Sequence, residues 1–231
     1  MDKNIIKNYT LFLIGLFIAS LGVALSTKAG LGTSPVSCIP YSISLLSSAL
    51  SFGGWLNIFS MIQIAIQLLL LKKNCNAVEI IIQIIIAFVY GYLTNFSCFL
   101  IHNLVVNTYP EQIIWLLISC LVLGLGIWIQ LKGQVAMLPG EAMNRAISMV
   151  TGKKYENVKI FFDILYILIS ALIGIYLLGG LKGVREGSII SALLIGNIIK
   201  LYHKMWNGIS KYKRIVRPAN NTPPRPYLQS P

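Results

Sequence analysis

The sequence predicts an all-α integral membrane protein with about six transmembrane helices in two repeats. Three observations predict this class. The composition is 56% hydrophobic and only 11% charged, long apolar runs recur along the chain, and one polar interruption occurs twice. Because soluble proteins are about 25% charged on average, this chain lacks the polar surface that water requires. We therefore expect a helical bundle that faces lipid, since a helix satisfies its own backbone there.

Six apolar runs are long enough to cross a bilayer. A helix rises about 1.5 Å per residue, so about 20 residues cross a hydrocarbon core of roughly 30 Å. The first run follows Lys3 and Lys7, a pattern that is also typical of a signal peptide. Since five further runs follow, we expect an uncleaved first helix. The predicted spans are residues 9–25, 55–71, 78–101, 112–131, 158–178 and 188–206.

Basic residues predict the orientation. The chain after Ile199 carries seven of the nineteen lysines and arginines and no acidic residue, which is typical of a cytoplasmic segment. The loop at 102–111 has neither lysine nor arginine and is expected outside. Six spans with both termini in the cytoplasm satisfy these constraints. The net charge of +12 then indicates contact with anionic lipid headgroups, and no nucleic-acid partner is expected.

Two similar polar breaks divide the chain into repeats. In "TKAGLGTSP" Lys28 precedes Pro35 by seven residues, and in "LKGQVAMLPG" Lys132 precedes Pro139 by seven. Each break leads into a short segment and then two apolar runs. The predicted units are a first membrane repeat (1–104), a second membrane repeat (105–210) and a disordered, basic, proline-rich cytoplasmic tail (211–231).

The number of spans per repeat predicts their relative orientation. Three spans are an odd number, so the second repeat should be inverted relative to the first. The short helices at 35–50 and 139–150 are then re-entrant or interfacial, one from outside and one from the cytoplasm. If both instead cross the membrane, there are eight spans and the repeats are parallel.

The breaks themselves are candidate binding elements. Gly30 and Gly32 permit a close backbone approach, and Pro35 and Pro139 suit the first turn of a helix. Such a helix start presents free N–H groups that favour an anion. Ordinary interfacial loops are the alternative interpretation.

Charged residues near the spans extend this candidate site. Lys159 and Asp163 lie one helical turn apart, which fits either a structural ion pair or a substrate or proton site. Glu141 and Arg145 have the same spacing, and a simple salt bridge is the alternative there. The candidate substrate-binding residues are Lys28, Gly30, Gly32, Pro35, Asn57, Lys132, Pro139, Glu141, Arg145, Lys159, Asp163, Arg185 and Glu186.

Catalytic chemistry is not expected. The chain has no HExxH, GxSxG or Walker-type motif, and its four cysteines, Cys38, Cys75, Cys98 and Cys120, have no CxxC spacing. We therefore predict no catalytic residue, no metal site and no cofactor, and we expect that the protein is not an enzyme.

Several stretches resemble a known family. The segments "PGEAMNRAISMVTGKKYENVKIFFDILYILISALIG", "GLKGVREGSIISALLIGNIIK" and "GVALSTKAGLGTSP" are similar to the YczE/YitT-like bacterial integral membrane proteins, over about residues 8–204. This chain departs from the pattern at Ala142, Met143 and Ser188. The resemblance implies a bacterial cytoplasmic membrane protein and no settled activity.

Three functions fit these features. The first is a gradient-driven transporter of a small, anionic solute bound between the repeats. The second is the substrate-binding membrane subunit of a larger importer, which would need an ATPase partner. The third is a membrane scaffold that uses the proline-rich tail to assist another enzyme. A second copy of the chain or another membrane partner is compatible with each.

Overall fold

Eight α-helices form the described part of the protein. The computed structural model describes the backbone of residues 3–72 and 76–216, and the side chains of residues 5–72 and 76–206. Within these ranges the only β-pairing is an isolated bridge between Gly32 and Val184. The helices are α1 (Lys3–Ala29), α2 (Pro35–Leu46), α3 (Phe52–Leu71), α4 (Ala77–Leu100), α5 (Tyr109–Gly133), α6 (Pro139–Thr151), α7 (Tyr155–Leu177) and α8 (Glu186–Val216).

Among the described residues, five helices, α1, α3, α4, α5 and α7, are long and apolar enough to cross a membrane. Large apolar side chains cover the outside of the bundle, with Leu69, Phe99 and Tyr176 among the most exposed. Soluble proteins rarely expose contiguous apolar surface of this extent to water. The described chain is therefore a multi-pass helical membrane protein.

The helices extend beyond the predicted spans. α1 ends at Ala29 rather than near residue 25, so the first break begins at Gly30, whose φ is 71°. The last helix, α8, is 31 residues long and continues to Val216, six residues into the segment assigned to the tail. Its described residues are less hydrophobic than the five candidate spans named above, because Lys200 and Lys204 interrupt its apolar sequence. Cys75 and residues 217–231 lie outside the described residues.

The helices α1 and α5 form an antiparallel pair at the centre of the bundle. Small residues let their backbones approach, as is common between membrane helices. A Cβ on Gly22 would lie 2.6 Å from Leu123 Cα, and one on Gly126 would lie 2.7 Å from Ala19 Cα. Neither glycine therefore has room for a side chain.

The two short helices lie along partners from the opposite half of the chain. α2 packs on α7, where Cys38 Sγ donates to the Tyr166 carbonyl oxygen at 3.2 Å. α6 packs on α3, and a Cβ on Gly140 would lie 3.1 Å from Gln63 Nε2. Tyr166 and Gln63 are near the middle of their helices, so α2 and α6 both begin level with the centre of a long helix. At 12 and 13 residues they are about 18–20 Å long and too short to cross a bilayer.

The first break is held against the loop between α7 and α8. Arg185 Nη1 donates to the Gly30 carbonyl oxygen at 3.1 Å, and Gly32 pairs with Val184. Gly32 has a φ of 95°, which favours glycine. This contact turns the chain back into the bundle so that α2 starts in the interior.

Candidate functional site

A cavity of about 190 Å³ lies in the interior of the bundle, and all eight helices contribute to its wall. Its wall is mostly apolar, with Leu56, Phe59 and Ile195 among the contributors. The residues that start α2 and α6 also border it. The cavity therefore lies where the two short helices begin.

Both short helices begin at the cavity without a side-chain cap. Pro35 and Pro139 are their first residues, and the preceding Ser34 and Leu138 make no side-chain capping bond. The first N–H groups of a helix have no partner within the helix, and the macrodipole gives that end a partial positive charge. Two such ends at one cavity favour a negatively charged group.

One lysine and two carboxylates line the same cavity. Lys159 Nζ lies 3.5 Å from Asp163 Oδ2, and these side chains are 39% and 17% exposed. Glu141, in the first turn of α6, completes this group. At neutral pH the three side chains carry a net charge of −1 when all are ionised.

Arg145 does not pair with Glu141. Its Nη1 instead approaches Met137 Sδ at 3.7 Å, and its side chain is exposed. The salt bridge considered as the alternative for these residues is therefore wrong. Glu141 is left to face the cavity.

Two buried acceptor oxygens on cavity residues lack a partner in the described ranges. They are Asn144 Oδ1 and Asp163 Oδ1, and Asn144 is only 2% exposed. Gln63 Nε2, by contrast, donates to the Tyr166 hydroxyl at 3.3 Å. A buried polar atom without a hydrogen bond is costly, so these oxygens favour a ligand that brings hydrogen-bond donors.

The structure brings five of the thirteen predicted residues to this cavity. They are Pro35, Pro139, Glu141, Lys159 and Asp163. Asn57 lies outside the cavity wall and is packed against Gly91. The structure confirms that Lys159 and Asp163 lie on one face of α7, where their side chains form an ion pair.

The other predicted residues have separate partners. Lys28 Nζ donates to the His102 carbonyl oxygen at 2.9 Å, because α1 continues through Lys28 and keeps it at the helix end. Gly30 and Gly32 contact the α7–α8 loop, where Arg185 also pairs with Glu186 at 3.0 Å. Glu186 is the first residue of α8 rather than part of the loop.

Lys132 lies away from the cavity. Its Nζ is 5.7 Å from the ring centroid of Trp128 and 5.5 Å from that of Trp206. Because α1 and α5 are antiparallel, Lys28 and Lys132 lie at opposite ends of the pair. The two lysines therefore do not act on one ligand.

Sequence reasoning missed several cavity residues. Asn144 follows Glu141 by three residues and so shares its helix face, a signal that was present in the sequence. Ser60 and Ser191 line the cavity from α3 and α8, but isolated serines in apolar helices give no comparable signal. Among the described residues, no group of three or more His, Cys, Asp or Glu could hold a metal ion.

Comparisons with known proteins give a family and a relative. The chain is similar to the Uncharacterized protein YyaS of Bacillus subtilis (strain 168), with 30% identity over 132 residues. That match covers 57% of this chain and 63% of the relative, less than two thirds of the relative's length. No solved structure matches the chain.

The family match covers nearly the whole described bundle. It extends over residues 6–204, from the first turns of α1 into the second half of α8. Neither comparison names the YczE/YitT-like proteins, so that resemblance stays a prediction. The chain belongs to DUF6198, a family of unknown function.

Proposed function

We propose that the protein is a gradient-driven transporter of a small organic anion, bound in the central cavity between two inverted repeats. The observation that carries the proposal is that α2 and α6 both begin at one cavity that also holds Lys159, Asp163 and Glu141. Broken or half-spanning helices that meet near the middle of the membrane are a recurring plan among secondary transporters.

Internal symmetry supports the inverted repeats. A shift of 104 residues carries Lys28 to Lys132 and Pro35 to Pro139. The same shift converts the contact of Gly22 with Leu123 into a contact between Gly126 and residue 19, and that contact is present. Since α1 and α5 are antiparallel, the operation that exchanges the repeats inverts them.

Several other helix contacts follow the same exchange, whereas the α3–α4 contact has no comparable α7–α8 counterpart in the described ranges. α2 packs on α7 as α6 packs on α3, and α4 packs on α1 as α8 packs on α5. In this arrangement α8 is the sixth span, and α2 and α6 are re-entrant helices from opposite sides. The positive residues in α8 then lie in the cytoplasm, together with the chain termini.

The cavity chemistry favours a particular kind of solute. The starts of α2 and α6, together with Lys159, would bind a carboxylate. Asn144 and the carboxylates would accept hydrogen bonds from amino or hydroxyl groups at its other end. The apolar wall suits a short carbon skeleton, so we expect a small hydroxy or amino acid.

The two carboxylates also fit a role in coupling. With Glu141 and Asp163 both ionised, the cavity repels an anion more than it does when one is protonated. Proton uptake would therefore precede or accompany binding of the anion. Intramembrane carboxylates are costly to bury and are often proton carriers.

The proposal is tested by melting purified protein with lactate, L-alanine and propionate. Propionate has the same carbon chain as the other two but lacks the hydroxyl or amino donor. We expect lactate or alanine to raise the Tm and propionate to do so less, because only the former satisfy the buried acceptors. The shift should disappear in Lys159→Gln and persist in Lys153→Gln, an exposed lysine that does not line the cavity. A shift that survives in Lys159→Gln, or no shift with any of the three acids, would contradict the proposed site.

A further inference from the structure

A second concave site lies at the end of the bundle where α5 stops. Its volume is about 620 Å³, and it is formed by the end of α5, by Gln134 just after it and by the middle of α8. Lys132, Lys200 and Lys204 line it together with His203, and none of the described residues in its wall is a carboxylate. This basic pocket is separate from the central cavity, with which it shares only Ile199.

Aromatic residues fix the most deeply placed lysine of this basic pocket. Lys132 Nζ lies over the indoles of both Trp128 and Trp206, at 5.7 and 5.5 Å from their centroids. The two indoles pack edge to face with centroids 5.6 Å apart. Cation–π contacts hold the ammonium group in place, so less side-chain freedom is lost when an anion binds.

Apolar side chains adjoin the basic pocket. Leu131 lies in its wall, and Leu201 and Met205, which follow Lys200 and Lys204 in sequence, are exposed outside that wall. Tryptophans are frequent at the level of lipid headgroups, because the indole ring is amphipathic and contacts both the apolar and the hydrated region there. A ligand that fits all of these features has an anionic head and an apolar tail.

We propose that the basic pocket binds the headgroup phosphate of an anionic phospholipid, with its acyl chains against Leu131, Leu201 and Met205. Pockets with several lysines between membrane helices recognise such headgroups in other proteins. In the proposed topology this end of the bundle is cytoplasmic, where anionic lipids are concentrated. The site does not depend on transport through the central cavity.

The test compares lipids that differ only in their headgroups. Purified protein is titrated with phosphatidylglycerol and with phosphatidylcholine of the same acyl chains, and bound lipid is counted by native mass spectrometry. We expect selective binding of phosphatidylglycerol. The double variant Lys200→Gln/Lys204→Gln should lose roughly fivefold in affinity per lysine removed. The matched control, Lys153→Gln/Lys154→Gln, removes two exposed lysines elsewhere and should bind as the unmodified protein does.

Variants of Lys132 and competition by a soluble headgroup test the lipid assignment further. Lys132→Arg retains the positive charge over the indoles and should retain binding, whereas Lys132→Gln should weaken it. Glycerol phosphate, a soluble headgroup without acyl chains, should compete only weakly. If it protects the protein against unfolding as well as the lipid does, the site binds free phosphate esters and the lipid assignment is wrong. Equal binding of both lipids, or an unchanged affinity in the double variant, would also overturn it.

Discussion

Asp163 lies one helical turn after Lys159 on α7, and only one of its two carboxylate oxygens is paired. Oδ2 is 3.5 Å from Lys159 Nζ, whereas Oδ1 is buried and meets no hydrogen-bond donor in the part of the chain that the structure describes. A purely structural ion pair in an apolar bundle would be expected to use both oxygens, because unpaired buried acceptors are costly. An ion pair in which Asp163 keeps one oxygen without a hydrogen bond fits a site where this carboxylate changes its binding partner.

Replacing Asp163 by asparagine tests this interpretation. Asp163→Asn keeps the shape but cannot take up a proton, so uptake driven by an inward proton gradient should fall at least about tenfold, the effect of about 1.4 kcal/mol of lost interaction. Exchange of substrate between two loaded compartments should persist, because it needs no net proton movement. Both rates are measured in proteoliposomes with labelled lactate or alanine, whichever raises the Tm.

The matched control for Asp163 is another carboxylate outside the cavity. Glu79 is exposed in the first turn of α4, so Glu79→Gln removes the same charge without touching the cavity. It should leave proton-driven uptake unchanged. If Asp163→Asn also retains full coupling, Asp163 is not the proton carrier.

The α1–α5 crossing predicts two matched effects on stability. Gly22→Ala and Gly126→Ala each force a methyl group into a helix backbone on the partner. Each should lower stability by about 1–3 kcal/mol, the usual cost of overpacking. Gly196→Ala in α8, which would meet no atom within 4 Å, should not lower the Tm. Unequal losses at Gly22 and Gly126 would contradict the symmetry of the crossing.

The first break predicts a difference between two glycines that share an unusual backbone. Gly32 and Gly179 both have positive φ values, 95° and 67°. A Cβ at Gly32 would also lie 2.8 Å from the Arg185 backbone nitrogen, whereas one at Gly179 would meet nothing within 4 Å. Gly179→Ala should cost about 1 kcal/mol from the backbone alone, and Gly32→Ala should cost distinctly more. Equal Tm shifts would show that the contact with the α7–α8 loop is not stabilising.

Truncation separates the transporter from the scaffold. Because α8 continues to Val216, a chain that ends there retains all eight helices and loses only residues 217–231. Uptake by this truncated protein should equal that of the full chain. If uptake disappears while the protein remains folded and in the membrane, the tail takes part in transport, which contradicts a solute pathway confined to the eight helices.

The sequence predicted the elements of the fold better than their partners. Apolar runs locate the long helices, because a bilayer demands about 20 apolar residues per span. The prolines at 35 and 139 locate the short helices, because proline suits a first helical turn. Both starts agree with the structure.

The membership of the site was harder to predict. Lys28 and Lys132 were both predicted to bind the solute, but α1 and α5 are antiparallel, so the two lysines lie at opposite ends of this helix pair. Asn144 and Gln63 reach the cavity through tertiary packing of α6 on α3. Sequence spacing describes one helix at a time and carries no information on which faces of two helices meet.

Cysteine accessibility in intact membranes tests most directly whether a transport site lies between inverted repeats. Native Cys38 is fully buried, so the reporters are introduced into a chain without native cysteines. Ser60→Cys reports on the cavity, and Ser48→Cys and Thr151→Cys report on the exposed residues just after α2 and at the end of α6. We expect an impermeant thiol reagent to reach position 48 only from outside, position 151 only from the cytoplasm, and position 60 from either side. Labelling of positions 48 and 151 from the same side, or of position 60 from one side alone, would contradict a transport site between inverted repeats.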